Sequence, residues 1–153
     1  DHEGHYGITT AEARRHLPKW METYPAPADM ALIHLGSNDY DAASFDQAVI
    51  TPLKEIIALL RQKNPRVVIL VGQMLESDPK PRALRPLIEQ MVRETNTPQS
   101  PVVSVAFYEG WVSKPGPQSD TFDWAHPNPK GQQKMADKWF AAMVPFLERM
   151  KRD

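Results

Sequence analysis

Apolar residues along this chain fall into two kinds of run. Met30-Ala-Leu-Ile-His-Leu-Gly36, Arg66 to Gly72 and Pro101 to Phe107 are short, aliphatic or β-branched, and barely alternate. That is the pattern of strands covered on both faces of a parallel sheet. Between them, apolar residues recur at helical spacing. Leu17, Trp20 and Met21 mark a helical stretch from Thr9 to Tyr24, which Pro18 is expected to divide into two short pieces. Ile50, Leu53, Ile56, Ile57 and Leu60 share one face of a helix expected from about Ser44 to Lys63, stopped by Asn64-Pro65. A Pro-rich loop through Pro81 precedes a helix over residues 83 to 95, and a long Gly/Pro loop runs from Glu109 to Trp124. The final helix has Asn128 as its cap and Pro129 at its first position, turning Met135, Trp139, Met143 and Phe146 toward the core.

Strand and helix alternate throughout, which predicts a single domain over residues 1–153: an α/β fold with a parallel sheet between helices on both faces. Such sheets bind ligands at the carboxyl ends of their strands, so the turn Gly36-Ser-Asn-Asp39 is expected in the crevice.

Composition narrows the function. Lys plus Arg number 18 against 19 Asp plus Glu, which leaves no cationic excess for nucleic acid or an anionic membrane. The longest apolar runs fall far short of the ~20 residues that cross a bilayer. The absence of cysteine excludes disulfides and thiolate metal ligands while leaving the compartment open. The sequence opens on Asp1 with no basic-then-apolar leader, and the expectation is that the original N-terminus has been removed.

Three polar blocks carry candidate chemistry. Asp123-Trp-Ala-His126-Pro127 puts an acid and an imidazole three residues apart, directly ahead of the last helix. In such a turn the carboxylate can accept a hydrogen bond from Nδ1 and leave Nε2 to take a proton from a nucleophile. A plain loop Asp beside a surface His fits the spacing as well. His34-Leu-Gly-Ser-Asn38-Asp-Tyr40 places an Asn amide at the end of the first strand, where it can donate to an oxyanion, although Gly, Ser, Asn and Asp are also ordinary turn residues. His2-Glu-Gly-His5-Tyr-Gly7 is a glycine-containing loop whose amides can face an anion. Its His2, Glu3 and His5 lack the spacing that sets two imidazoles on one helical face, so no metal site is expected.

In order and residue type these blocks resemble the SGNH (GDSL-like) hydrolase family. His34 to Tyr40 resembles its G-x-N-D block and Asp123 to Pro127 its D-x-x-H-P block. His2 to Gly7 resembles its glycine block in the H-E-G-x-x-G form of family 3 carbohydrate esterases. The resemblance implies a three-layer, flavodoxin-like fold with Asp123 and His126 as catalytic triad members and Gly7 and Asn38 as oxyanion-hole donors. It implies no metal or organic cofactor. The expected substrate is a small acyl ester, such as an O-acetyl group on a carbohydrate, and a secreted or periplasmic setting is common among such esterases.

One departure is large. The family begins with a strand ending in G-D-S, whose serine is the nucleophile, and no such segment occurs in this chain. Ser37 stands where family members carry a Thr or Ser that is not the nucleophile, and Ser77, Ser100, Ser104, Ser113 and Ser119 lack that strand-to-turn context; His34 reads as a core histidine, and His16 needs no role. The expectation is therefore that the N-terminal strands are absent from this chain, or that a second polypeptide supplies them, and that these residues alone are inactive. Two rivals remain: a non-catalytic module that holds a glycan or partner in the same crevice, and a zinc-dependent deacetylase using His2, His5 and an acid.

Overall fold

The computed structural model describes residues 2–75, 79–123 and 125–150. In chain order the elements are α1 (Thr10–Met21), β1 (Met30–Ile33), α2 (Thr51–Lys63), β2 (Val68–Gly72), α3 (Pro79–Thr95), β3 (Val102–Val105) and α4 (Pro129–Met150). The strands form one parallel sheet in the order β1-β2-β3. Among the described residues, no helix is long and apolar enough to cross a membrane.

The alternation of β2 sets the layers. Ile69 and Val71 pack with α1, α2 and α3 on one side of the sheet, through Ala13, Leu53, Ile57 and Ile88 among others. Val68 and Leu70 pack on the other side with Phe107 and Trp111, and Met135, Trp139, Met143 and Phe146 of α4 close that layer. The four residues expected to turn α4 inward therefore do so. Phe107 meets Trp139 edge-on at 4.8 Å between ring centroids and His34 at 5.2 Å.

Four expectations are corrected. Pro18 lies inside α1 rather than dividing it. One helical hydrogen bond is lost, but the capping box of Thr9 and Glu12 secures the start and Leu17, Trp20 and Met21 pack on the core, so the helix continues. The long central helix starts as a π-helical turn, Asp46–Ile50, before α2. Pro52 has no N–H, and its ring would collide with the carbonyl four residues back in an α-turn; the wider turn relieves this. Helix α3 begins at Pro79, ahead of the expected residue 83, because prolines are tolerated in a first turn whose N–H groups have no helical partner. Finally, β1 is not covered on both faces: it ends at Ile33, short of the expected Gly36, and leaves Leu32 42% exposed.

His34 follows β1 and shares the α4 side of the sheet with Phe107. Burial holds its pKa down at about 4, partly offset by the Gln73 carbonyl. A histidine buried in the neutral form binds fewer protons than the unfolded chain between its ordinary pKa of ~6.5 and the folded value. Stability should therefore decline as pH falls from about 6.5 to about 4, by up to about 3 kcal/mol from this residue. Chemical denaturation across that range should show the decline, and His34→Phe should flatten it; equal slopes in both proteins would refute the assignment. A Cβ on Gly72 would lie 2.4 Å from the Phe107 ring. Gly72→Ala should cost about 1 to 3 kcal/mol through that overlap, read as a lower denaturation midpoint.

Candidate active site

The first half of the site rests on the N-terminus of α1. Asp39, almost fully buried, accepts hydrogen bonds from the Thr10 amide at 3.0 Å and the Thr10 hydroxyl at 2.8 Å. One carboxylate thus ties the turn after β1 to the first turn of a helix, where a negative charge is also favoured by the helix dipole. Gly36 reverses the chain with φ 119°, a conformation that side chains rarely adopt, and leads into a 3-10 turn over Ser37–Asp39. Asn38 is exposed, and its Nδ2 donates to the Ile8 carbonyl at 2.9 Å. An amide nitrogen has two protons, so one remains for another acceptor. The same contact sets Asn38 beside the Gly7 segment; Gly7 itself is exposed with φ 68°.

That segment is anchored by the residues weighed above as metal ligands. Glu3 accepts from the Tyr24 hydroxyl at 2.9 Å and pairs with His5 Nε2 at 3.0 Å, while the His5 ring stacks on Trp20 at 4.3 Å. His2 Nδ1 accepts from the Gly4 amide at 3.4 Å.

The second half stands in the loop ahead of α4. Asp123 Oδ1 accepts from the amides of Ala125 and His126, each at 2.7 Å, and Oδ2 lies 2.7 Å from His126 Nδ1. The His126 amide, its imidazole and the Ala125 amide together hold the Asp123 carboxyl well below the usual carboxylate range. The ionised carboxylate makes Nδ1 the protonated nitrogen and leaves Nε2 as the acceptor. The His126 side chain is 75% exposed.

Three devices hold this loop. The Phe122 amide donates to the His126 carbonyl at 2.9 Å, closing the turn. Asn128 Oδ1 caps α4 at the Gly131 amide, and its Nδ2 reaches back to the carbonyls of Ser119 and Thr121. Beneath lies buried Asp120, paired with Lys134 at 2.7 Å and Lys130 at 3.4 Å and accepting from the Val112 amide. Burial raises the Asp120 pKa, but the Lys134, Val112 and Lys130 contacts outweigh it and the net shift is downward. Sequence reasoning missed Asp39 and Asp120 as supports. The Thr9 to Glu12 capping box, a local pattern, was the one signal pointing to the helix end that Asp39 serves.

Both halves stand at the carboxyl ends of the strands. Ser37 Oγ donates to Met74 Sδ at 3.5 Å, Arg85 Nε donates to the Met74 carbonyl, and the Arg85 guanidinium lies 4.0 Å over the Tyr108 ring. These contacts make one continuous rim between the outer strands, which are roughly 10 Å apart at ordinary strand spacing. The other candidate serines are committed elsewhere: Ser100 and Ser119 are buried and hydrogen-bonded, and Ser104 donates to Glu89 at 2.6 Å. Ser77 lies outside the described residues.

Residues 1–134 match the model of the GDSL-like lipase/acylhydrolase family. Among solved structures, the chain is similar to a carbohydrate esterase family 3 protein from Talaromyces cellulolyticus, with 24% identity and a TM-score of 0.80 over 97% of this chain and 72% of that one. It is also similar to a serine-to-alanine mutant of an acetyl esterase solved with an acetate ion, at 23% identity and a TM-score of 0.82 over 98% and 73% of the two chains. A family 3 carbohydrate esterase of Clostridium thermocellum shares 19% identity at a TM-score of 0.76, over 98% and 72%. No curated protein matches the chain.

Asn128→Ala should loosen the loop by removing both the cap and its two back-bonds. A loss of about 1 to 2 kcal/mol is expected, with faster hydrogen exchange at the Phe122 amide. Unchanged exchange there would separate Asn128 from the Asp123–His126 turn.

Proposed function

Because the chain belongs to the GDSL-like lipase/acylhydrolase family, we propose that it forms the acid–base and oxyanion-binding part of a serine ester hydrolase whose nucleophilic serine lies outside these residues. The observation that carries this reading is the Asp123–His126 pair, joined at 2.7 Å through Nδ1 with the rest of the ring exposed.

In this mechanism the serine hydroxyl attacks the ester carbonyl while His126 Nε2 takes its proton. Asp123 stabilises the resulting imidazolium. The negative charge that develops on the carbonyl oxygen is met by the second Nδ2 proton of Asn38 and the Gly7 amide, in a region already fixed by Asp39. Collapse breaks the ester C–O bond, and His126 gives its proton to the departing alcohol. Water then attacks the acyl-serine, again losing a proton to His126, and releases the carboxylic acid with the serine restored. An acetyl ester of a carbohydrate is the substrate class supported by the similar folds of family 3 carbohydrate esterases and an acetyl esterase.

A second reading, a glycan- or partner-holding module without catalysis, is favoured by one observation: Ser37, Ser100, Ser104 and Ser119 are each engaged away from His126. Turnover of p-nitrophenyl acetate by the complete gene product separates the two. His126→Ala should lower kcat by about 10³-fold or more, Asn38→Ala by about 10²-fold or more with little change in KM, and a chelator should have no effect. Equal turnover in wild type and His126→Ala would remove His126 from the mechanism, and no turnover in either would leave the binding module. Loss of turnover with chelator would favour the zinc deacetylase.

A further inference from the structure

Large apolar side chains exposed singly are ordinary on a protein surface and need no explanation. In this chain the aromatic ones are not scattered. Among the described residues, four Phe or Tyr rings stand exposed: Tyr6, Tyr40, Phe122 and Phe140. Phe140 lies midway along α4, roughly 16 Å of helix beyond Pro129. Each of the other three adjoins a block of the candidate site. Tyr6 precedes Gly7, Tyr40 follows Asp39, and Phe122 precedes Asp123. Neither core cluster contains any of them.

The backbone fixes where Phe122 stands. Thr121 bridges Pro127 across the loop and is buried, so the next side chain turns outward, and Phe122 is 72% exposed. Its amide donates to the His126 carbonyl at 2.9 Å, which ties this residue to both members of the Asp123–His126 turn. The chemistry proposed above then gives the substrate a direction. Its carbonyl oxygen turns toward Asn38 and Gly7, whereas the alcohol oxygen has to come within hydrogen-bond reach of His126 Nε2 to receive a proton. The body of the alcohol therefore lies against the His126 loop, and Phe122 is the exposed ring among the described residues of that loop. Tyr6 and Tyr40 border the oxyanion half instead, where Asn38 meets the Ile8 carbonyl.

We propose that Phe122 selects a sugar as the leaving alcohol, its ring stacking against the pyranose that bears the ester. The proposal rests on the hydrolase reading. One face of a pyranose presents C–H bonds polarised by the neighbouring oxygens, and the face of a phenyl ring is negative, so the two flat surfaces attract while both shed water. A phenyl ring offers no hydrogen bond, so it recognises this face rather than the hydroxyl groups. A short alkyl alcohol covers too little of the ring to gain comparably. The contact is made alike in the ground state and the transition state, so it acts on KM more than on kcat. It is also confined to acylation, because the alcohol has left before water attacks the acyl-serine.

The test compares two acetyl esters of aliphatic alcohols, a mono-O-acetylated methyl xylopyranoside and ethyl acetate, with the complete gene product. p-Nitrophenyl acetate is unsuitable, since its own ring would lie on Phe122. Phe122→Ala should lower kcat/KM for the sugar ester by about tenfold or more beyond its effect on ethyl acetate, with the difference in KM. Phe122→Trp, which keeps a flat aromatic face, should retain the preference for the sugar. Tyr40→Ala should move the ratio of the two esters by less than about twofold. Equal losses on both esters after Phe122→Ala would make the ring a support of the loop and overturn the proposal. A difference carried by kcat, or a ratio moved as far by Tyr40→Ala, would overturn it as well. Turnover of neither ester by the wild type is a separate result: it would overturn the hydrolase reading and with it the choice of a leaving alcohol.

Discussion

Strand β2 is enclosed on all sides, with helices on each face and a parallel neighbour on each edge. Every residue from Val67 to Leu75 is buried, and backbone polar groups at that depth must find partners within the protein. Ladders to β1 and β3 provide them, and because both are parallel, all three strands finish at one rim. The turn bearing Asn38, which follows β1, and the loop bearing His126, which follows β3, leave the sheet at the same end for that reason. Gly72 closes the arrangement from beneath, since the Phe107 ring fills the space that a Cβ would need.

Much of this was legible in the sequence, where the signal is periodic and local. The face of α2 and the Asn128-Pro129 start of α4 are read from neighbouring residues, and the structure places both as expected. Proline was over-weighted. Pro18 and the prolines opening α3 each remove a single donor, a modest loss beside the packing of Leu17, Trp20 and Met21 or the tolerance of a helix's first turn. The covering of β1 was over-read for another reason: an apolar run does not encode what packs on it, so a strand that reads as buried on both faces can leave Leu32 in the open.

The site divides along the same line. Asp123 and His126 are three residues apart, and their hydrogen bond lies within the reach of the motif itself. The link from Asn38 to Ile8 spans 30 residues and Asp39 to Thr10 spans 29, so a resemblance to known blocks could suggest their proximity but spacing could not. Asp120 gave no signal. Its partners Lys130 and Lys134 lie one turn apart on α4, and only the folded loop brings the carboxylate beneath them.

The two carboxylates nearest the candidate chemistry are held in opposite ways, and this bears on how the site is assembled. Asp39 is buried and takes neutral donors from Thr10, so its work is complete in the folded chain. Asp123 is exposed, and its charge is held by the amides of Ala125 and His126 as well as by the imidazole. Two of its three bonds fix the loop and the third fixes the ring, and none calls on a nucleophile. On the proposed reading, the acid–base half and the oxyanion half are thus set before a nucleophile is presented, which then has only to bring one hydroxyl. Preorganisation of this kind spares the reaction the cost of ordering polar groups as charge develops.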